Sequence, residues 1–160
     1  MTPVLAVASA WSASLASIAC GAAMAGAGID LVDLTVFADL YETGGPAFLA
    51  NGWTAAEQRD AQGSLERIAA RWAAKEAVMK SLRCGLGDLD PLDIEILTEL
   101  DGSPRVVLHR EALFAAEALG VARWHVSLCH EDGWAAALAI AERSHSMSGA
   151  TQPHEGNEDA

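Results

Sequence analysis

The run Arg71-Trp-Ala-Ala-Lys75-Glu76-Ala-Val-Met-Lys80 constrains this chain more than any other stretch. It reads as part of a helix from about Leu65 to Leu82, with an apolar stripe of Leu65, Ile68, Ala69, Trp72, Ala73 and Met79 at helical spacing. Glu76 falls in the middle of that core-facing stripe, one turn after Trp72. An ionised carboxylate there is costly unless a cation or a metal ion partners it. Lys80 stands one turn further on, at the i+4 position that favours a Glu–Lys pair. Arg67, Arg71, Lys75 and Arg83 flank the two, so five of the chain's ten basic residues lie between 67 and 83. The pattern predicts a metal-ready carboxylate inside a patch that attracts anions.

The surroundings sharpen that expectation. The formal charge of the whole chain is −12, which argues against a general binder of nucleic acid or of anionic membranes. A local basic cluster on so acidic a background suits one small anionic ligand. At 160 residues with 51% hydrophobic and 20% charged content, one soluble globular domain is expected. Cys20, Cys84 and Cys129 are odd in number and widely spaced, as suits reduced thiols in a cytoplasmic protein.

The two ends differ from the middle. Residues 1–24 belong to an Ala/Ser-rich stretch without Lys or Arg, interrupted by Thr2, Ser9, Ser12, Ser14 and Ser17. It lacks the basic start of a secretory signal and reads as an N-terminal extension. Residues 144–160 are polar, with Gly149, Pro153 and Gly156, and read as a disordered tail.

Between them, strand and helix signals alternate over residues 25–143. Ala25 to Leu34 suggests a strand, with two glycines before Asp30. A helix around Thr35 to Tyr41 should stop at Gly44-Gly45-Pro46. Thr54 is a good N-cap for a short helix through about Asp60, and Gly63-Ser64 starts the long one, which ends at Gly85 and Gly87. Asp93 to Glu99 and Arg105 to His109 form a hairpin across Asp101-Gly-Ser-Pro104. A helix from Glu111 to Leu119 closes at Gly120, and strands Arg123–Cys129 and Trp134–Ile140 follow. The class is α+β, with antiparallel strands packed on one long helix.

Polar chemistry sits in three places: Asp30 after its glycine-containing strand, the Glu76 helix, and Trp124-His125-Val-Ser127-Leu-Cys129-His130. Alternation in the last puts His125, Ser127 and Cys129 on one strand face. Singly, each has an ordinary structural explanation, as a turn residue, an ion pair or a satisfied histidine. Their order along the chain is the informative part.

Gly28-Ile-Asp30-Leu-Val, Arg71-Trp-Ala-Ala-Lys75-Glu76-Ala-Val-Met-Lys80 and His125-Val-Ser-Leu-Cys-His130 resemble the corresponding segments of the holo-acyl-carrier-protein synthases, the small single-domain branch of the 4′-phosphopantetheinyl transferase superfamily. Asp93-Ile-Glu-Ile, Asp101-Gly-Ser-Pro-Arg and Trp53-Thr-Ala-Ala-Glu57 fit the same family, over about residues 25–142. The resemblance implies the family's α+β fold and a homotrimer with active sites between subunits. It implies transfer of phosphopantetheine from coenzyme A to a serine of an acyl carrier protein, with release of adenosine 3′,5′-bisphosphate. Asp30 and Glu76 would hold Mg²⁺, a cation that favours hard oxygen ligands. Asp30, Glu76 and Lys80 would form the catalytic set, while Arg71, Lys75 and Lys80 would neutralise the coenzyme's phosphates and His125 and Ser127 would hydrogen-bond to it. Glu76, a water on the metal or His125 remain open as the base. The carrier could belong to fatty-acid, polyketide or peptide synthesis. A non-catalytic carrier-binding relative would be expected to lack Asp30, Glu76 or Lys80, and all three are present. An unrelated Mg²⁺-dependent hydrolase would need a phosphate loop, which does not appear. One departure is plain. Many family members carry arginines on the helix after the first aspartate, to dock an acidic carrier, whereas Leu31 to Trp53 here has Asp33, Asp39 and Glu42 and no Lys or Arg.

Overall fold

Small residues decide how the elements stack. A computed structural model of the chain describes residues 24–143. The expected extension and tail therefore lie outside the described residues, except that Met24 already begins the first strand. The elements run β1 (Met24–Asp33), α1 (Leu34–Gly52), α2 (Ala55–Ala61), α3 (Leu65–Ser81), a 3₁₀ turn (Pro91–Asp93), β2 (Ile94–Thr98), β3 (Pro104–Leu108), α4 (Arg110–Ala118), β4 (Val121–Glu131) and β5 (Trp134–Arg143). Strands β1, β5 and β4 form an antiparallel sheet in that order, while β2 and β3 form a separate hairpin. The α+β class and the hairpin expected from the sequence are both present.

Helix α3 lies against one face of the three-stranded sheet. Gly26 and Gly28 bring β1 against its backbone so closely that a Cβ added at either would stand 2.0 Å from a carbonyl oxygen, of Ser81 and Ala77 respectively. Ala135, Ala137, Ala139 and Ala141 of β5 are buried on the same side, opposite the alanines of α3. The other face of the sheet carries Ala27, Ile29 and Leu31 of β1, Ala136, Leu138 and Ile140 of β5, and His125, Ser127 and Cys129 of β4. None of these is fully buried.

Two expectations need correction. The helix after β1 does not stop at Gly44-Gly45-Pro46: α1 kinks at Gly45 (φ 54°, ψ −143°) and resumes to Gly52. Gly45 takes a conformation that other residues avoid, and the fixed φ of Pro46 suits the first turn of the resumed helix. The buried sector of α3 is also far wider than the stripe of six residues. Ala70, Ala74, Ala77 and Val78 are buried along with Ile68, Ala69, Ala73 and Met79, whereas Trp72 and Glu76 are only half-buried at its margin. The reason is that α3 is covered on more than one side, by the sheet and by α1, α2 and β2.

A buried ion pair fastens those layers. The Lys75 side chain is fully buried, and its ammonium donates to Glu57 Oε2 at 2.8 Å, to the Pro91 carbonyl at 2.8 Å and to the Ile94 carbonyl at 2.6 Å. Glu57 closes the capping box of α2 with Thr54 and accepts the Ile96 N–H at 3.0 Å. The pair thus joins α2, α3 and β2. Burial pushes the Lys75 pKa down, and Glu57 pulls it back up. Removing one member of such a pair strands a buried charge. Lys75→Met is therefore expected to lower unfolding free energy by about 3–5 kcal/mol, as measured by denaturant titration. Lys80→Met, which removes a half-exposed ion pair, should cost about 1 kcal/mol or less.

Candidate active site

The close approach of β1 to α3 sets two acids side by side. Asp30 follows Gly28 on the helix-facing side of β1, and Glu76 lies on α3 one residue before Ala77, whose carbonyl faces Gly28. Both line a groove of about 410 Å³, together with Leu31, Asp33, Val36, Leu40 and Trp72. A cluster of Phe37, Phe48, Trp53 and Trp72 in edge-on and tilted contacts, with ring centroids 5.2–5.8 Å apart, holds α1 against α3 at its back.

Lys80 does not take the i+4 partner expected for it. Its ammonium bonds Asp30 Oδ1 at 2.7 Å and the Ile29 carbonyl at 3.2 Å. Strand β1 offers a carboxylate and a carbonyl together, which a helix neighbour cannot match. Burial first, and Asp30's charge second, raise the Glu76 pKa, with Lys80 opposing them. Asp33 is occupied differently, as the N-cap of α1, accepting the Thr35 N–H at 2.8 Å and the Val36 N–H at 3.3 Å.

The donor set fits a hard divalent cation. Two carboxylates facing one groove repel each other, and a 2+ ion relieves that repulsion better than the single ammonium of Lys80. Among the described residues no group of three or more His, Cys, Asp or Glu gathers to hold a metal, so Asp30 and Glu76 would hold an ion only with ligands from outside the chain. Two carboxylates, with substrate phosphate and water completing the shell, is an ordinary Mg²⁺ arrangement.

The remaining expected residues lie apart from the groove. Lys75 faces the interior with all three ammonium donors used, so it cannot reach a coenzyme phosphate. Arg71 is 7% exposed, and its guanidinium donates to the Ile96 and Arg67 carbonyls at 3.2 Å and to Thr98 Oγ1 at 2.8 Å. Burial lowers its pKa, against the charges of Asp60 and Glu57. It lines a second cavity of about 580 Å³ with Arg59, Arg67 and His130. Arg67 precedes Glu76 by about two and a half turns, so this basic cavity lies on the opposite side of α3 from the acids. His125 and Ser127 stand on the outer face of the sheet, where His125 Nε2 lies 2.6 Å from Glu142. One chain therefore unites Asp30, Glu76 and Lys80, and separates them from Arg71, His125 and Ser127.

The sequence placed Arg67 in the basic patch and offered Arg59 and Arg67, with Arg123, as carrier-docking residues, but did not join Arg59, Arg67 and His130 in one cavity. Arg59 and His130 come from distant segments, and only the strand ends around β2 and β4 bring them together. The structural role of Glu57 was hidden in the same way, although its capping-box spacing from Thr54 is a local signal.

A family description of the 4′-phosphopantetheinyl transferase superfamily matches residues 26–139. The chain belongs to this superfamily, in its holo-[acyl-carrier-protein] synthase branch. It is 43% identical over 128 residues to the holo-[acyl-carrier-protein] synthase of Moorella thermoacetica, covering 77% of this chain and 98% of that protein. Its fold is similar to that of the Helicobacter pylori synthase in complex with coenzyme A, with a TM-score of 0.66 and 25% identity over 72% of this chain and 98% of the other. It is similar also to the Bacillus anthracis synthase in complex with CoA (3′,5′-ADP), with a TM-score of 0.63 and 27% identity over 77% of this chain and all of the other (100%). The chain is thus an enzyme of the phosphopantetheinyl transferase class.

The raised pKa of Glu76 has a direct consequence for stability. A carboxyl whose folded pKa exceeds its unfolded one binds a proton more readily when folded, so stability is lost as pH rises through the glutamate range. Without divalent metal, Glu76→Gln is expected to melt above the wild type at pH ~7, the gap closing as pH falls toward ~4. Thermal melts across that range, at matched protein concentration, check it.

Proposed function

We propose that the chain transfers 4′-phosphopantetheine from coenzyme A to a serine hydroxyl of an apo acyl carrier protein, with Mg²⁺ held by Asp30 and Glu76. The observation that carries this reading is the pair of carboxylates meeting across the β1–α3 contact with Lys80 bonded to one of them. The serine oxygen attacks the phosphorus next to the pantetheine, the pyrophosphate P–O bond breaks, and adenosine 3′,5′-bisphosphate leaves. The bound ion would neutralise charge on the pyrophosphate. Glu76, which lines the same groove as Asp30, would be this chain's group to accept the serine proton. Lys80 supplies a cation bonded to Asp30, and reaction of this kind depends mainly on position and charge. His125 faces away from the groove in the same chain, which disfavours it as that chain's own base.

A single chain separates the groove from the Arg59–Arg67–Arg71 cavity, yet coenzyme A carries a 3′-phosphate as well as a pyrophosphate. Subunits packed through the outer face of the sheet would resolve this, one giving the acids and its neighbour the arginines. That face, with Ile29, Leu138 and Ile140 half-buried, is apolar enough to serve, and a homotrimer is the assembly this reading takes. The same packing would bring His125 and Ser127 to the coenzyme. Cys84 and Cys129 are free thiols, consistent with a reducing, cytoplasmic setting.

With apo carrier, coenzyme A and Mg²⁺, mass spectrometry is expected to find one phosphopantetheine added to the carrier serine. Asp30→Ala and Glu76→Gln should each lower turnover roughly 100-fold or more. Mg²⁺ should raise the melting temperature of the wild type but not of Asp30→Ala, a readout independent of activity. Lys80→Ala should weaken coenzyme A binding in calorimetry. Wild-type turnover in either carboxylate variant at limiting Mg²⁺ would contradict the assignment. Light scattering should give the mass of three chains, and Leu138→Glu with Ile140→Glu should give monomer without transfer activity.

A further inference from the structure

The acid groove is short of hydrogen-bond donors. Asp30, Asp33 and Glu76 give it carboxylates, which when ionised only accept, and its other side chains are hydrocarbon with one exception. That exception is Trp72, whose indole N–H is, among the described residues, the one side-chain donor lining the groove. Lys80 is not part of the lining, and its ammonium is bonded to Asp30 Oδ1 and to the Ile29 carbonyl.

The ring is held so that this donor stays available. Its Cζ3 and Cε3 atoms are the ones turned to Gly52, 3.4 and 3.8 Å from where a Cβ on that glycine would stand. In an indole, Nε1 occupies the corner diagonally opposite those atoms, so the N–H points away from the end of α1. Trp53 packs on the ring with centroids 5.2 Å apart, and its own N–H is spent on the Ile68 carbonyl at 3.2 Å. Trp72 Nε1 has no acceptor among the described residues, and no buried side-chain nitrogen or oxygen there lacks a partner, so Nε1 is open to solvent. Trp72 is half-buried, and the cavity it lines is the acid groove. Glu76 follows four residues later, and helix side chains lean toward the N-terminus, which brings that carboxylate over the turn holding the indole.

We infer that Trp72 is a substrate-binding residue whose Nε1–H donates to an anionic phosphoryl oxygen of the substrate entering the groove. The inference rests on the transferase reading. A phosphoryl group brought up to carboxylates needs donors aimed at its oxygens as well as a cation. An indole supplies a donor without adding charge, so it does not compete with a divalent ion for the two acids as another ammonium would. Its hydrogen bond to a charged oxygen, in a groove walled by Val36, Phe37 and Leu40, is stronger than one to a neutral carbonyl. Trp72 therefore favours the pyrophosphate of coenzyme A over the amides of its pantetheine arm.

The test observes the N–H directly. In the full chain labelled with ¹⁵N, the indole resonance of Trp72 is identified by its loss in Trp72→Phe. Coenzyme A added to the Mg²⁺-saturated protein is expected to move that proton downfield, whereas pantetheine, which has no phosphate, leaves it in place. Trp72→Phe keeps an aromatic ring beside Trp53 but removes the donor, and should lower kcat/KM for coenzyme A by about tenfold or more in transfer to an apo carrier. Because a phenyl ring is smaller, a second variant carries benzothiophene in place of the indole, the same bicycle with sulfur where the N–H was. It should show the same loss of kcat/KM at the melting temperature of the wild type. A proton unmoved by coenzyme A, an equal shift with pantetheine, or full kcat/KM in the benzothiophene variant overturns the inference, and transfer by the wild type then leaves the transferase reading standing. If the wild type adds no phosphopantetheine to the carrier, the transferase reading fails and the role of Trp72 falls with it.

Discussion

The contact of β1 with α3 is the interaction on which the rest depends. Two glycines on the strand meet two carbonyl oxygens of the helix at a distance no side chain would permit. Because β1 lies that close, the carboxylate two residues after Gly28 shares a groove with the carboxylate one residue before Ala77, and the ammonium of Lys80 reaches across to the strand. The alanines of β5 extend the same tight interface beneath the next strand. Larger residues at these places would widen the gap and separate the acids. Backbone proximity, rather than any property of the acids themselves, makes them a pair.

Charge inside the molecule is divided between holding and acting. Lys75 and Glu76 are neighbours in sequence, yet about 100° of helical rotation sends the first into the interior and the second to the groove. The Glu57–Lys75 pair ties α2, α3 and β2 together, and so fixes the rotation of α3 about its own axis. Arg71 performs a related task one turn earlier, satisfying carbonyls at Ile96 and Arg67. Two of the five basic residues between 67 and 83, Arg71 and Lys75, are thus spent on architecture. The acids of the groove and the arginines of the second cavity fall on two opposite sides of one helix, and the proposed multi-subunit site rests on that separation.

Much was determined by the sequence alone. The long helix, its ends, the Thr54 cap, the hairpin and the last two strands follow from local periodicity and turn chemistry, all of which act within a few residues. Asp30, Glu76 and Lys80 were candidates through the order of the polar segments along the chain and their resemblance to the family's, since each alone has an ordinary structural explanation. Tertiary structure decided what those patterns could not reach. It turned Lys75 inward, gave Lys80 to Asp30 rather than to its helix neighbour, and moved Glu76 from the centre of the buried sector to its margin. It carried α1 past Gly45, and assembled Arg59, Arg67, Arg71 and His130 into one cavity. Each of these outcomes depends on which element lies across from which, and on whether a side chain finds its donors and acceptors there; periodicity along a single helix holds no record of its neighbours.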